Sequence, residues 1–272
     1  EIMPSLVGSE MCIRDRKELY GHRARLRKER GCMDIESGEV KLILDENGRC
    51  IDVKKRTSGE SESMIEEFML LANQCAAHFA RVKQIPFVYR VHEEPNAEKL
   101  ERLHGLLQAC GVNDHFAKDV PTPKELSAIL EGVRGTPYEQ IINTGMLRCM
   151  SKALYEEKPK GHYGLVLKDY AHFTSPIRRY ADLVVHRSLN PLLANPPKGA
   201  KGAGSAGRLE EDAEHISETE RISASAEKDA NRMKLFEWLE GQCYTEHPEV
   251  HEALVTETRH FGVLLEIPRL QI

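Results

Sequence analysis

At 272 residues, with 38 Lys and Arg against 43 Asp and Glu for a net charge of −5, the chain can bury a sizeable core and has no bulk positive field. Any polyanion site must therefore be local. No run approaches the ~20 apolar residues of a membrane span and no secretory signal is visible; seven scattered cysteines without a C-x-x-C pair argue against a disulfide framework or zinc site and for a reducing compartment.

The first stretch, Glu1 to Arg16 with its "VGSEMCIRDR", matches no pattern around it and reads as a non-native, adapter-like segment, so it is set aside. "ELYGHRARLRKERG" predicts a basic helix ending at Gly31, whose Arg23, Arg25, Arg27 and Lys28 are either RNA contacts or a solvated face. Alternation on either side of Asn47-Gly48 predicts a hairpin. A helix comes next with Ser63 and Glu66 as a capping box, then the short strand "IPFVYRVH", then a helix capped by Asn96 and stopped by Gly111. "TPKE" and "TPYE" read as two further helix starts, with Thr122 and Thr136 as caps, Pro first and Glu third; the second runs through about Tyr155. "GHYGLVLKDYAHF" reads as a strand leading into "SPIRR", a helix capped by Ser175. Beyond the Gly/Ala/Pro-rich loop "NPPKGAKGAGSAG", a long helix from about Leu209 to Glu240 carries Leu209, Ala213, Ile216, Ser223, Ala230 and Met233 along one side. Phe236 and Trp238 on it are core or domain contacts, and a strand pair begins near His251.

The SPIRR helix breaks a rule its neighbours keep. Where they place Glu in the third position it has Arg178, followed by Arg179. Two cations at the positive end of a helix cost a few tenths to ~1 kcal/mol each. A bound anion would reverse that sign, and the guanidinium fork suits phosphate oxygens; carboxylates from another helix would do the same with no ligand. Asp182 and His186 stand at i+4 and i+8 from Arg178, as orienting or capping groups rather than a metal pair. His172, before the cap, is a structural hydrogen bonder. H-E-x-x-H, Walker, G-x-G-x-x-G and G-x-S-x-G motifs are absent.

"HFTSPIRRYADLVVHR", flanked in order by "MIEEFMLLAN", "MLRCMSKALYEEKPKGHYGL" and "SAEKDANRMKLFEWL", resembles the signature of the ribonuclease II / ribonuclease R family of 3′→5′ exoribonucleases. The resemblance covers roughly Lys17 to Ile272. It implies an α+β fold, the mostly helical C-terminal half of an RNB-type catalytic domain over residues 17–245, then the first strands of an OB-type barrel over 246–272. It carries catalytic roles to Arg178, Glu67 and Glu227, with Arg178 contacting phosphate near the scissile bond and Glu227 near the terminal ribose. Arg179 and Ser175 would lie against RNA with it. The family's aromatic clamp falls on Ile35, which loses part of a stacking energy of ~1–3 kcal/mol per base. Phe261 is either a stacking residue on the barrel or core.

The family holds Mg²⁺ with a tight Asp cluster, and no such cluster occurs in this sequence. "GESESMIEE" and "EEDAEHISETE" read as a helix start and a helix face, and metal-dependent phosphodiester hydrolysis needs converging carboxylates. The expectation is therefore a fragment, inactive alone, of a cytoplasmic, monomeric enzyme that uses Mg²⁺ in its full-length form. That enzyme would degrade single-stranded RNA from the 3′ end to nucleoside 5′-monophosphates, with RNA-decay machinery as a further partner and no membrane. The alternative is a non-catalytic RNA-binding or adaptor protein of the same fold; a purely helical interaction domain, with SPIRR only a cap, is a weaker third.

Overall fold

Asp45 shows how local chemistry sets the first turn: its Oδ1 accepts the N–H groups of Asn47 (2.9 Å) and Arg49 (2.8 Å), and Gly48 takes a φ of +75°. That turn joins β1 (Val40–Leu44) to β2 (Cys50–Lys55) as the expected antiparallel hairpin. The computed structural model describes residues 10–33, 40–56, 58–113, 116, 119–192, 206–267 and 269–270, so Ile35 lies outside it. The helices are α1 (Glu10–Glu29), α2 (Glu60–Val82), α3 (Ala97–Ala109), α4 (Pro123–Val133), α5 (Glu139–Cys149), α6 (Tyr180–Leu189) and α7 (Ala206–Cys243). Two further antiparallel pairs are β3 (Tyr89–Val91) with β4 (Leu154–Glu156), and β5 (Leu254–Arg259) with β6 (Gly262–Glu266). The architecture is α+β and mostly helical, as expected.

Several helix ends obey the sequence chemistry. Asn96 Oδ1 accepts Lys99 N–H at 2.9 Å, and Thr122 and Glu125 form a reciprocal capping box. Gly31 (φ +78°) and Gly111 (φ +69°) end α1 and α3 in the same way. The next residue's N–H reaches back to Arg27 O (3.2 Å) or Leu107 O (2.9 Å), satisfying carbonyls the helix leaves free. Gln84 (φ +53°) does this for α2 without being glycine, through Ile85 N–H to Ala80 O at 2.9 Å.

Other ends require correction. Helix α2 starts before the predicted Ser63 cap, because Glu62 reaches back to Gly59 N–H at 2.6 Å. "TPYE" does not cap with Thr136, whose hydroxyl is spent on Val133 O at 2.6 Å; α5 starts at Glu139 and stops at Cys149, and Tyr155 belongs to β4. "GHYGLVLKDY" is no strand. His92 Nδ1 accepts Gly164 N–H (3.0 Å) and His162 Nδ1 accepts Leu165 N–H (3.2 Å), side-chain bonds that replace a sheet ladder.

The core divides into packed groups. Leu103, Leu107, Leu126, Ile142 and Met146 join α3, α4 and α5; Ala77, Phe87, Tyr89, Ala171 and Val185 join α2, β3 and α6. Helix α7 binds at both ends, through Leu209, Ala213 and Ile216 to α6 and the β3–β4 pair, and through Leu235 and Trp238 to the hairpin. Its middle is exposed from Arg221 to Met233, so Ser223, Ala230 and Met233 do not continue the buried stripe, and Phe236 is exposed while Trp238 is core. Because Leu107 is fully buried among these neighbours, Leu107→Ala is expected to cost about 2–5 kcal/mol of stability in chemical denaturation. A cost near that of a surface substitution would contradict this packing.

Candidate RNA-facing site

The segment from Ala171 to Ser175 belongs to no helix or strand, so its polar groups need side chains. Asn73, buried on α2, accepts Phe173 N–H through Oδ1 at 2.9 Å and donates to Tyr170 Oη at 3.2 Å. His186 on α6 lies 2.8 Å from Phe173 O through Nε2 and stacks on the Phe173 ring at 4.5 Å. Asp182, fully buried, takes Ser175 N–H at 2.7 Å.

The residues after Ser175 depart from the expected helix. Ser175 O accepts the N–H groups of Arg178 (3.3 Å) and Arg179 (3.1 Å), closing a single turn over Pro176 to Arg178. Arg179 is then extended (φ −125°, ψ 120°), and α6 begins at Tyr180. Ser175 is not the helix cap, and the arginines do not occupy the helix's first turn. Counted from Arg179, the third helical position is Asp182, so α6 places its anion where α4 does. The apparent anomaly was a frame error, caused by a separate turn preceding the helix.

Asp182 also holds Arg179, through Nε to Oδ2 at 2.8 Å and Nη2 to Oδ1 at 3.0 Å. Sequence spacing linked Asp182 to Arg178; the structure links it to Arg179. Arg178 is exposed and makes no ion pair among the described residues. Ile177 beside it stands fully out of the protein. Arg179 lines a cleft of about 490 Å³ with Asn73, Tyr170, Glu62, Glu66 and Ile65.

The other expected residues stand on other elements of the fold. Glu67 is buried on α2 and its carboxylate takes Arg27 Nη1 of α1 at 2.9 Å, a contact the sequence did not reveal. Glu227 is exposed in the solvent-crossing middle of α7. Among the described residues no hydrogen bond or ion pair joins either glutamate to Arg178. Phe261 is exposed at the β5–β6 turn, with Arg259 Cζ 5.8 Å from its ring centroid.

A polar network lies behind the turn. Tyr155 Oη sits 2.8 Å from His172 Nδ1 and 3.3 Å from Glu220 Oε1, whose other oxygen takes Arg90 Nη1 at 2.6 Å. Burial, then the charges of Arg179, Arg90 and Arg178, push the His172 pKa down to about 2; burial, then His92 and Arg90, push His162 down to about 3. Both rings are neutral at pH 7 and structural.

Mg²⁺ finds no fit among these residues. Among the described residues no group of three or more His, Cys, Asp or Glu side chains converges to hold a metal ion. Asp182 is spent on Ser175 and Arg179, and Glu66 and Glu67 on Arg27.

A family model described as the RNB domain matches residues 9–195. The chain belongs to the RNB family. Its relatives are ribonucleases R: 36% identity over 251 residues to ribonuclease R 1 of Lactococcus lactis, covering 92% of this chain and 30% of that protein, and 39% over 252 residues to ribonuclease R of Thermotoga maritima, covering 90% and 34%. The chain thus spans about a third of the length of the curated relatives it matches. The apo form of Mycoplasma genitalium RNase R superposes with a TM-score of 0.84 at 25% identity, over 96% of this chain and 40% of that one. The same enzyme has been solved with ribose-methylated single-stranded RNA (TM-score 0.83) and with double-stranded RNA (0.84). The family match reaches back to residue 9 and α1 to Glu10, inside the segment set aside on sequence grounds.

Proposed function

We propose that this chain is an RNA-holding portion of a 3′→5′ exoribonuclease that hydrolyses single-stranded RNA to nucleoside 5′-monophosphates. The observation that carries this reading is Arg178, an exposed cation with no carboxylate partner among the described residues, on a turn held by buried side chains, within a family of ribonucleases R. An exposed guanidinium held in place loses little on meeting a phosphate and can bind two of its oxygens. Ser175 and Arg179 flank it, Glu67 and Glu227 line the path of the strand, and Phe261, on the first hairpin of an OB-type barrel, stacks on a base. Glu67, held by Arg27, reaches the strand from α2. Mg²⁺ and its carboxylates belong to the whole enzyme, outside the described residues, and that enzyme acts in the cytoplasm as a monomer.

A second reading has one supporting observation. The lack of converging carboxylates among the described residues also suits a non-catalytic RNA-binding member of the fold. Fold alone, with a TM-score of 0.68, likens this chain to a yeast protein described as a pseudonuclease. Sequence preceding the chain separates the two, since a compact Asp cluster belongs to the enzyme. For the chain itself, purified with excess Mg²⁺, the expectation is binding to a labelled single-stranded RNA without shortening it. Metal-dependent release of mononucleotides on a denaturing gel would show that the hydrolytic carboxylates are already present.

A further inference from the structure

The turn that carries Arg178 has little to hold it in shape on its own. It has one backbone hydrogen-bonded loop, a fully exposed Ile177 at its apex, and no sheet or helix ladder. Its two ends nevertheless meet one buried carboxylate. Asp182 Oδ1 takes Ser175 N–H at the entry and Arg179 Nη2 at the exit, while Oδ2 takes Arg179 Nε. An acid serving only the dipole of α6 could sit exposed on the helix surface; this one is fully buried and reaches a residue seven positions earlier. Its charge is compensated by a side chain that is itself mostly buried, so the clamp is a desolvated three-bond unit rather than a surface ion pair.

We infer that Asp182 is a positioning residue, which by closing the turn at Ser175 and Arg179 sets the direction in which Arg178 meets an RNA phosphate. The inference rests on the proposed role of Arg178. It assigns Arg179 a different task from its neighbour: two of its guanidinium nitrogens hold the turn, which leaves Arg178 as the cation presented outward. It also accounts for two adjacent arginines that differ so much in exposure.

The inference has a sign that bulk electrostatics does not share. Asp182→Asn removes a negative charge and loosens Arg179, so charge alone predicts tighter RNA binding. Loss of positioning predicts weaker binding. The experiment measures anisotropy of a labelled single-stranded RNA against salt concentration for the chain and its variants, with melting temperature read on each preparation. Arg178→Ala is expected to weaken binding about fivefold and to reduce the salt slope by about 0.7, the share of one phosphate on a single strand. Asp182→Asn is expected to do nearly the same despite its lost negative charge, and the double variant to be no weaker than Arg178→Ala alone, because both act through one contact. If Asp182→Asn does not fold, Arg179→Lys replaces it in the cycle. It keeps the charge beside Asp182, loses the two-pronged hold, and is expected to weaken binding about threefold with the same non-additivity.

Unchanged or tighter binding by Asp182→Asn, or by Arg179→Lys where it stands in, alongside a weakened Arg178→Ala, overturns the positioning role and leaves the RNA site standing. Additive losses in the double variant do the same. Unchanged affinity and slope in Arg178→Ala overturn the RNA site itself, and the positioning role falls with it.

Discussion

Arg178→Lys, in a chain extended to the length of its ribonuclease R relatives, is expected to lower kcat about 100-fold or more, on the scale of deleting one preorganised donor to a developing charge. Lysine keeps the positive charge but loses the rigid fork that holds two phosphate oxygens. RNA affinity should fall only a few-fold, because the other contacts still hold the strand and the charge term survives. Folding should hardly change. Arg178 is exposed and has no carboxylate partner among the described residues to lose, and it precedes α6 rather than sitting in its first turn. A structural role predicts the reverse, a lower Tm with nearly normal turnover of the folded fraction. Measuring kcat, RNA affinity and Tm on one preparation separates these, and a destabilised but fully active variant would sink the catalytic assignment.

Acid should destabilise the fold well before its carboxylates titrate. His162 and His172 are largely buried, with folded pKa values pushed down to about 3 and about 2 against an unfolded value of 6.5. Below pH 6.5 the unfolded chain therefore binds protons that the folded one refuses. The stability from keeping these rings neutral is complete above 6.5 and is lost as pH falls toward the folded values. Each ring contributes a slope of up to ~1.4 kcal/mol per pH unit, so at pH 5 the two together remove up to ~4 kcal/mol, a large part of a typical domain's stability. The groups around them reinforce the direction. Arg90, Arg178 and Arg179 oppose a charge on His172, His92 and Arg90 oppose one on His162, and Tyr155 meets His172 as a neutral hydroxyl. Asp169, whose pKa lies below its ordinary value despite burial because Arg81 and His78 hydrogen-bond it, loses its contribution only under about pH 4. Chemical denaturation at pH 7.5, 6 and 5 should show the loss, and His162→Gln should roughly halve its slope. A stability flat from pH 7.5 to 5 would mean that these rings are hydrated in solution.

Local chemistry was legible wherever one short stretch holds the whole answer. The Asn47-Gly48 hairpin, the Asn96 and Thr122 caps, the glycine ends at Gly31 and Gly111, and the span of α7 each depend on residues within a turn of one another. The motif around SPIRR also determined the family, because its order of flanking helices is long and specific. Tertiary structure decided the rest, where a backbone group had two acceptors to choose between. His92, 72 residues from Gly164 in the chain, displaced a predicted strand by accepting that glycine's N–H, and only the folded chain brings Asp182 onto Ser175 and Arg179 rather than Arg178. Glu67 is likewise defined by Arg27, 40 residues earlier in the chain. Residue type determines which bonds a side chain can make, and packing determines which of them exclude water well enough to form.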